Sequence, residues 1–236
     1  MINLKQEIET FLNSNWCNTN DKEQNMQGRL YAWLLRFEQQ GYTVEMETSV
    51  RDEHIKCFNN KACKDNFPIE DFAKKEMDLF IFNKDFSEVY AAELKWIYKR
   101  DEGWNILDNL EDFKDDAKFC YQLVEHGRFT ETCSVVVQDF EESKQVQRCS
   151  WSRNKPEVIR DKQHFLGRES YPSVEDLTKL PGGSINVKDN DSPVYLPFEW
   201  KDLHQEQKLP NPPKRQYRYY ILDFNQDNVS INENRQ

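Results

Sequence analysis

Residues 77–98, MDLFIFNKDFSEVYAAELKWIY, place ionisable side chains inside two apolar runs of strand-like sequence. Folded as an antiparallel hairpin with a four-residue loop at 84–87, this stretch sets Asp78 directly opposite Glu93. Strand alternation puts Lys95 on the face of these two acids and leaves the reverse face wholly apolar. Two carboxylates that face each other on a half-buried sheet repel. The hairpin therefore predicts a neutralising partner, for which a divalent cation is the simplest candidate.

The register of the hairpin is specific, because a slip of one residue would turn the two acids to opposite faces. Trp96 points to the reverse face, where we expect it to join the core. The register predicts the following cross-strand pairs: Asn83–Glu88, Phe80–Ala91, Ile81–Tyr90, Leu79–Ala92, Met77–Leu94 and Glu76–Lys95.

The sequence on either side of the hairpin alternates between helical and strand patterns. Spacings of three and four residues between apolar side chains predict helices over 2–15, 23–40 and 104–124. Alternation predicts strands over 42–50, 132–140 and 218–224, the last returning to the main sheet. Val44, Met46 and Val50 should share one face of the first strand, and Gly41 should end the helix before it. This order favours an α/β or α+β fold, in which helices flank a mixed β-sheet.

The length of 236 residues fits one domain over 1–236, with a core over 20–140 and an irregular extension over 141–236. Residues 171–213 are rich in proline and turn residues, which predicts a long ordered loop or a small appendage before the late strand. No apolar run is long enough for a membrane span, and no secretion signal is visible. We therefore expect a cytoplasmic protein with no membrane partner, whose six cysteines are reduced thiols.

The formal net charge of −10 argues against a protein that binds nucleic acid through a broad basic surface. Local basic stretches remain, and they are either solvated surface charges or contacts to phosphates. The candidate nucleic-acid-binding residues are Lys99, Arg100, Lys214, Arg215 and Arg218. A zinc site at His54, Cys57 and Cys63 is the weaker alternative for a metal, since a fourth ligand is missing.

Metal-assisted hydrolysis of a phosphodiester requires hard oxygen ligands, an oriented water and positive charge near the phosphate. The hairpin offers all three. Asp78 and Glu93, with the backbone carbonyl of Leu94, would hold Mg²⁺ or Mn²⁺. Lys95 would lie beside the attacking water and the scissile phosphate.

These residues resemble the motif of the PD-(D/E)XK nuclease superfamily, which has the restriction-endonuclease-like fold. The motif here is Asp78, fourteen intervening residues and then Glu93-Leu94-Lys95, and the resemblance covers about residues 20–140. It implies that the aspartate and glutamate bind the metal and that the lysine assists the attack of water. Many members add an acid from the preceding helix or strand, for which Glu23 and Glu47 are the candidates, with Glu47 favoured.

The sequence departs from the family pattern at two points. Met77 stands where the named motif has proline, and no Gln-x3-Tyr follows in the next helix. The resemblance nevertheless implies a metal-dependent nuclease, with DNA as the favoured substrate and a homodimer or a protein partner as its assembly.

Two alternatives remain open. The same fold would serve a catalytically weak or inactive interaction subunit of a defence, repair or mobile-element complex. A surface hairpin with a Glu76–Lys95 pair would carry the same residues without any site.

Overall fold

The computed structural model describes most of the chain, with gaps between the described ranges. These ranges are residues 1–17, 22–51, 54, 72–97, 109–139, 156–167, 181–188, 193–203 and 217–233.

The described residues form helices and strands in an order close to the one expected from the sequence. The helices are α1 (Leu4–Leu12), α2 (Glu23–Leu34), α3 (Leu110–Glu125), α4 (Pro156–Leu166) and α5 (Gln226–Glu233), with a 3-10 helix at Leu35–Gln40. The strands are β1 (Tyr42–Ser49), β2 (Glu76–Asn83), β3 (Val89–Ile97), β4 (Glu131–Asp139), β5 (Gly182–Asn186), β6 (Tyr195–Glu199), β7 (Lys201–Asp202) and β8 (Tyr217–Asn225). No helix in the described ranges is long and apolar enough to cross a membrane.

Six of the strands form one mixed sheet in the order β1-β2-β3-β4-β8-β7. Strands β3 and β4 are parallel, and the other neighbours in this sheet are antiparallel. Strands β5 and β6 pair separately as a two-stranded antiparallel sheet. The expected mixed α/β fold is confirmed at this level, and the late strand joins the main sheet through β4.

The β2–β3 hairpin has the register that the sequence predicts. Leu79 pairs with Ala92, Phe80 with Ala91 and Ile81 with Tyr90. At the loop, the Asn83 N–H donates to the Glu88 carbonyl at 3.1 Å, and the Asn83 side chain accepts from the Glu88 N–H at 3.0 Å. These backbone and side-chain bonds close the loop and fix the register along both strands.

Two hydrophobic cores lie on opposite faces of the main sheet. Leu94 and Trp96 of β3 pack with α1 and α2, whereas Val89 and Ala91 pack with α3 and α4. The prediction that Trp96 joins the core is confirmed. Because side chains alternate along β3, Glu93 and Lys95 face the α3 side of the sheet.

Two predicted side-chain placements are wrong. Met77 belongs to the core on the α3 side and not to the core of Leu94, and Val50 likewise lies apart from Val44. The backbone is irregular between Val44 and Val50, because Glu47 of β1 has φ of 49° in the left-handed region. The described pairs of β2 and β3 also end at Leu79–Ala92, so strand alternation no longer holds Met77 against its expected partner.

The remaining differences concern helix ends and the C-terminal third. The helix expected over 23–40 tightens into 3-10 geometry for its last six residues, before Gly41 turns left-handed at φ of 88°. Helix α4 lies in a basic stretch without a clear pattern, and the sequence does not predict it. The described parts of 171–213, expected to form a long ordered loop or a small appendage, contain β5, β6 and β7.

Candidate active site

The two acids of the hairpin meet where its backbone ladder ends. The Asp78 N–H donates to Glu93 Oε1 at 3.1 Å, and the Leu94 N–H donates to Asp78 Oδ2 at 2.8 Å. Each carboxylate therefore accepts a hydrogen bond from the backbone of the opposite strand. These crossed bonds hold the two acids side by side on the sheet.

Lys74 neutralises the innermost acid from the bend that precedes β2. Its ammonium Nζ contacts Glu93 Oε2 and also lies 2.9 Å from Asp116 Oδ1 of helix α3. Glu93 is 1% exposed and Asp116 is 6% exposed, so both carboxylates are deeply buried. Neither Lys74 nor Asp116 is predicted as a site residue from the sequence. The neutralising partner that it predicts is, in this structure, an ammonium group of the chain itself.

The electrostatics of the cluster follow from burial and from the charges packed around it. Burial, followed by the charge of Asp78, raises the pKa of Glu93 well above its usual value. Burial also raises the pKa of Asp116. Burial by itself lowers the pKa of Lys74, but the flanking carboxylates of Glu93 and Asp116 outweigh it and raise that pKa. Lys74 therefore stays protonated between its two partners.

Of the two candidates for an additional acid, Glu23 is the one that the fold brings to the hairpin. Glu23 Oε2 accepts a hydrogen bond from the Trp96 N–H at 2.7 Å and interacts electrostatically with Asp78. Burial raises the pKa of Glu23. Glu47, the candidate that the sequence favours, is exposed, and it is the residue of β1 with a left-handed backbone. The geometry therefore favours the helix acid over the strand acid.

Lys95 and Leu94 both lie next to the two acids. Lys95 is partly exposed on the face of Glu93, and its charge acts on both Glu23 and Asp116. Leu94 contacts Asp78 through its backbone N–H, and the expected role of its carbonyl as a metal ligand stays a prediction. The Glu76–Lys95 pairing of the surface-hairpin alternative is not among the described pairs of β2 and β3, and Glu76 pairs with Ser49 of β1.

The donor chemistry of this cluster fits a divalent cation, although its arrangement in this structure does not yet form a cage. Four carboxylates (Glu23, Asp78, Glu93, Asp116) face two ammonium groups (Lys74, Lys95), which leaves two formal negative charges if all are ionised. The Ser134 hydroxyl beside Glu93 is buried without a hydrogen-bond partner among the described residues. Within those residues, however, no three His, Cys, Asp or Glu side chains are gathered closely enough to hold a metal ion.

Most of the other sequence candidates lie elsewhere. Lys99, Arg100, Lys214 and Arg215 are outside the described residues, as are Cys57 and Cys63 of the zinc alternative. Arg218 lies in β8, where its Nε donates to Asp202 Oδ1 at 2.6 Å. His54 is buried, with its ring 4.8 Å from that of Phe80. One cleft of about 530 Å³ lies beside β6 and β8, and another of about 730 Å³ lies beside α4, β5 and β6. Neither cleft is lined by Asp78 or Glu93.

Of the two site residues that are not predicted, Asp116 is marked by the sequence pattern around it. Asp116 occupies a position on the apolar stripe of α3, between Phe113 and Cys120, where an acid is unusual. Lys74 has no such signal, because it precedes β2 in an irregular segment and reaches the site only through the tertiary fold.

Comparisons with protein-family models, with curated proteins and with solved structures find no match to this chain.

Proposed function

We propose that this protein is a metal-dependent nuclease that hydrolyses phosphodiester bonds of nucleic acid, with DNA as the favoured substrate. The observation that carries the proposal is the meeting of Asp78 and Glu93 at the end of the hairpin, locked by their crossed hydrogen bonds. Lys95 follows on the same strand and the same face. The resemblance of this motif to the PD-(D/E)XK superfamily supports the same reading.

In this proposal, Asp78 and Glu93 hold Mg²⁺ or Mn²⁺, and Glu23 contributes further negative charge from α2. The bound cation would polarise a phosphoryl oxygen and lower the pKa of a coordinated water. Lys95 is partly exposed, so its ammonium group can reach a phosphate that approaches from solvent. There it would orient the attacking water and stabilise negative charge that develops on the phosphate.

The chain's own residues keep this site in shape. Gln27 of α2 donates from Nε2 to the Asp78 carbonyl at 3.2 Å, and Glu23 holds the Trp96 N–H. The acidic end of the hairpin is therefore fixed by helix α2 on one side and by α3, through Asp116 and Lys74, on the other. Such fixed groups need little reorganisation when charge develops.

A cleavage assay with single substitutions tests the proposal. Purified protein is incubated with single- and double-stranded DNA and RNA in Mg²⁺, in Mn²⁺ or in EDTA. We expect metal-dependent cleavage that falls at least about 100-fold in Asp78→Asn, Glu93→Gln and Lys95→Ala. Lys84→Ala, in the exposed hairpin loop, is the matched control and should cut like the parent. Circular dichroism confirms that each variant is folded. Variants of the three site residues that cut as well as the parent would refute the assignment.

A binding protein on the same fold is the second candidate function. It is favoured by the Lys74 ammonium, which already neutralises Glu93 and Asp116 without any metal. This candidate predicts no cleavage of any substrate in Mg²⁺ or Mn²⁺. Turnover by the purified chain alone would reject it.

A further inference from the structure

Lys74 bridges two buried carboxylates of the cluster. Its ammonium group contacts one carboxylate from β3 and one from α3. An ammonium group and a divalent cation compete for the same carboxylate oxygens, because each needs negative oxygen partners in place of water. The lysine and a metal would therefore exclude each other.

The backbone around Lys74 is fixed, whereas its side chain borders solvent. The Ala73 N–H donates to Gln122 Oε1 at 2.8 Å, and the Lys75 carbonyl accepts from the Val50 N–H at 2.8 Å. The Lys74 side chain is 33% exposed. Its ammonium group can leave the carboxylates by rotation about side-chain bonds alone, without any change of fold.

A buried hydroxyl group lies beside Glu93. Ser134 is 1% exposed, pairs in register with Glu93 and has no hydrogen-bond partner for its hydroxyl among the described residues. An unpaired buried polar group is costly, so this hydroxyl points to a ligand or to its water shell.

From these observations we infer that Lys74 is the resident counter-ion of a cation site, which Asp78, Glu93 and Asp116 complete only when its ammonium group leaves them. A divalent cation binds by displacing the Lys74 ammonium group into solvent. Asp116 is then the third acid of the site, and it comes from the helix that follows the motif. The inference rests on the proposed function in taking Mg²⁺ or Mn²⁺ as the ligand.

Mn²⁺ binding by the free protein tests this exchange without any substrate. Affinity is measured by isothermal titration calorimetry and by electron paramagnetic resonance of free Mn²⁺, for the parent, Lys74→Met and Lys75→Met. Removal of the competing charge should tighten Mn²⁺ binding by at least about tenfold in Lys74→Met. Lys75 is the exposed neighbour of Lys74, so Lys75→Met loses the same charge and should stay within about twofold of the parent.

Thermal unfolding gives a second readout that does not depend on a well-folded metal-free variant. A ligand that binds only the folded state raises Tm, so Mn²⁺ should raise Tm more in Lys74→Met and in Lys74→Gln than in the parent. Adding Asp116→Asn to Lys74→Met should abolish the gain. Equal or weaker Mn²⁺ binding in both Lys74 variants would overturn the exchange. A gain that survives Asp116→Asn would overturn the three-carboxylate site.

The two proposals fail in different ways. Tighter Mn²⁺ binding in Lys74→Met without cleavage by any preparation would support the exchange and reject the nuclease. Metal-dependent cleavage by the parent with unchanged Mn²⁺ affinity in Lys74→Met would do the reverse.

Discussion

Substitution of Lys74 by methionine should strongly destabilise the metal-free protein, because two buried carboxylates lose the ammonium group that bridges them. At the 2.9 Å between Lys74 Nζ and Asp116 Oδ1, the Coulomb attraction is about 6 kcal/mol at an effective dielectric constant of about 20. Removing one partner from a buried ion pair costs about 3–5 kcal/mol after desolvation is included. Since Lys74 is one-third exposed, the low end applies, and we expect a loss of about 3 kcal/mol in the free energy of unfolding.

Urea titration in EDTA, followed by tryptophan fluorescence and circular dichroism, measures this loss. For a chain of this size it corresponds to a decrease in Tm of about 6–12 °C. Lys75→Met should change the free energy of unfolding by less than about 0.5 kcal/mol. Glu93→Gln removes one of the two carboxylate charges that Lys74→Met leaves without the bridging ammonium group. The double variant should therefore be more stable than Lys74→Met alone. A Lys74→Met protein as stable as the parent, or strictly additive effects in the double variant, would show that the buried carboxylates do not depend on the Lys74 charge.

Three further expectations concern residues away from the site. Hydrogen bonds from Tyr42 and then Tyr90 lower the pKa of Glu88 from its usual 4.5, so the stability that Glu88 adds is present above pH 4.5 and is lost as pH falls below it. Glu88→Gln should therefore be less stable than the parent at pH 7 and approach it in an acid titration, and a constant difference would contradict this. Gly41→Ala should cost about 1–2 kcal/mol in urea unfolding, since Gly41 has φ of 88°, and a neutral effect would contradict the turn geometry. Asp161→Asn should cost about 2–3 kcal/mol, because buried Asp161 lies 2.6 Å from the Lys114 ammonium, and an unchanged urea midpoint would show that this pair adds nothing.

The parts of the fold that the sequence predicts well are those set by local periodicity. The hairpin register follows from alternation and from one loop, so Leu79–Ala92 and its neighbours are correct. Helix α4 is not predicted, because charged residues interrupt its apolar pattern. Its apolar side chains are buried only by packing against β5 and β6. The Met77 placement fails because alternation assumes a continuous ladder, whereas Glu47 bends β1 and the pairs of β2 and β3 end early.

The candidate site, too, is predicted where local sequence decides and not where tertiary packing decides. Asp78, Glu93 and Lys95 are close in sequence, and strand geometry is enough to bring them together. The choice between Glu23 and Glu47 depends on how α2 packs against the end of β3, which no local pattern encodes. Lys74 is harder still to predict, because its role requires Asp116 of α3 to pack against the bend before β2.

Diffraction from crystals soaked in Mn²⁺, with an anomalous difference map, shows whether the acidic end of the hairpin binds a divalent cation. We expect a peak within about 2–2.3 Å of carboxylate oxygens of Asp78 and Glu93, with the Lys74 ammonium group withdrawn from Glu93. A map without a peak there, in crystals where Lys74 still bridges Glu93 and Asp116, would rule out this cation site.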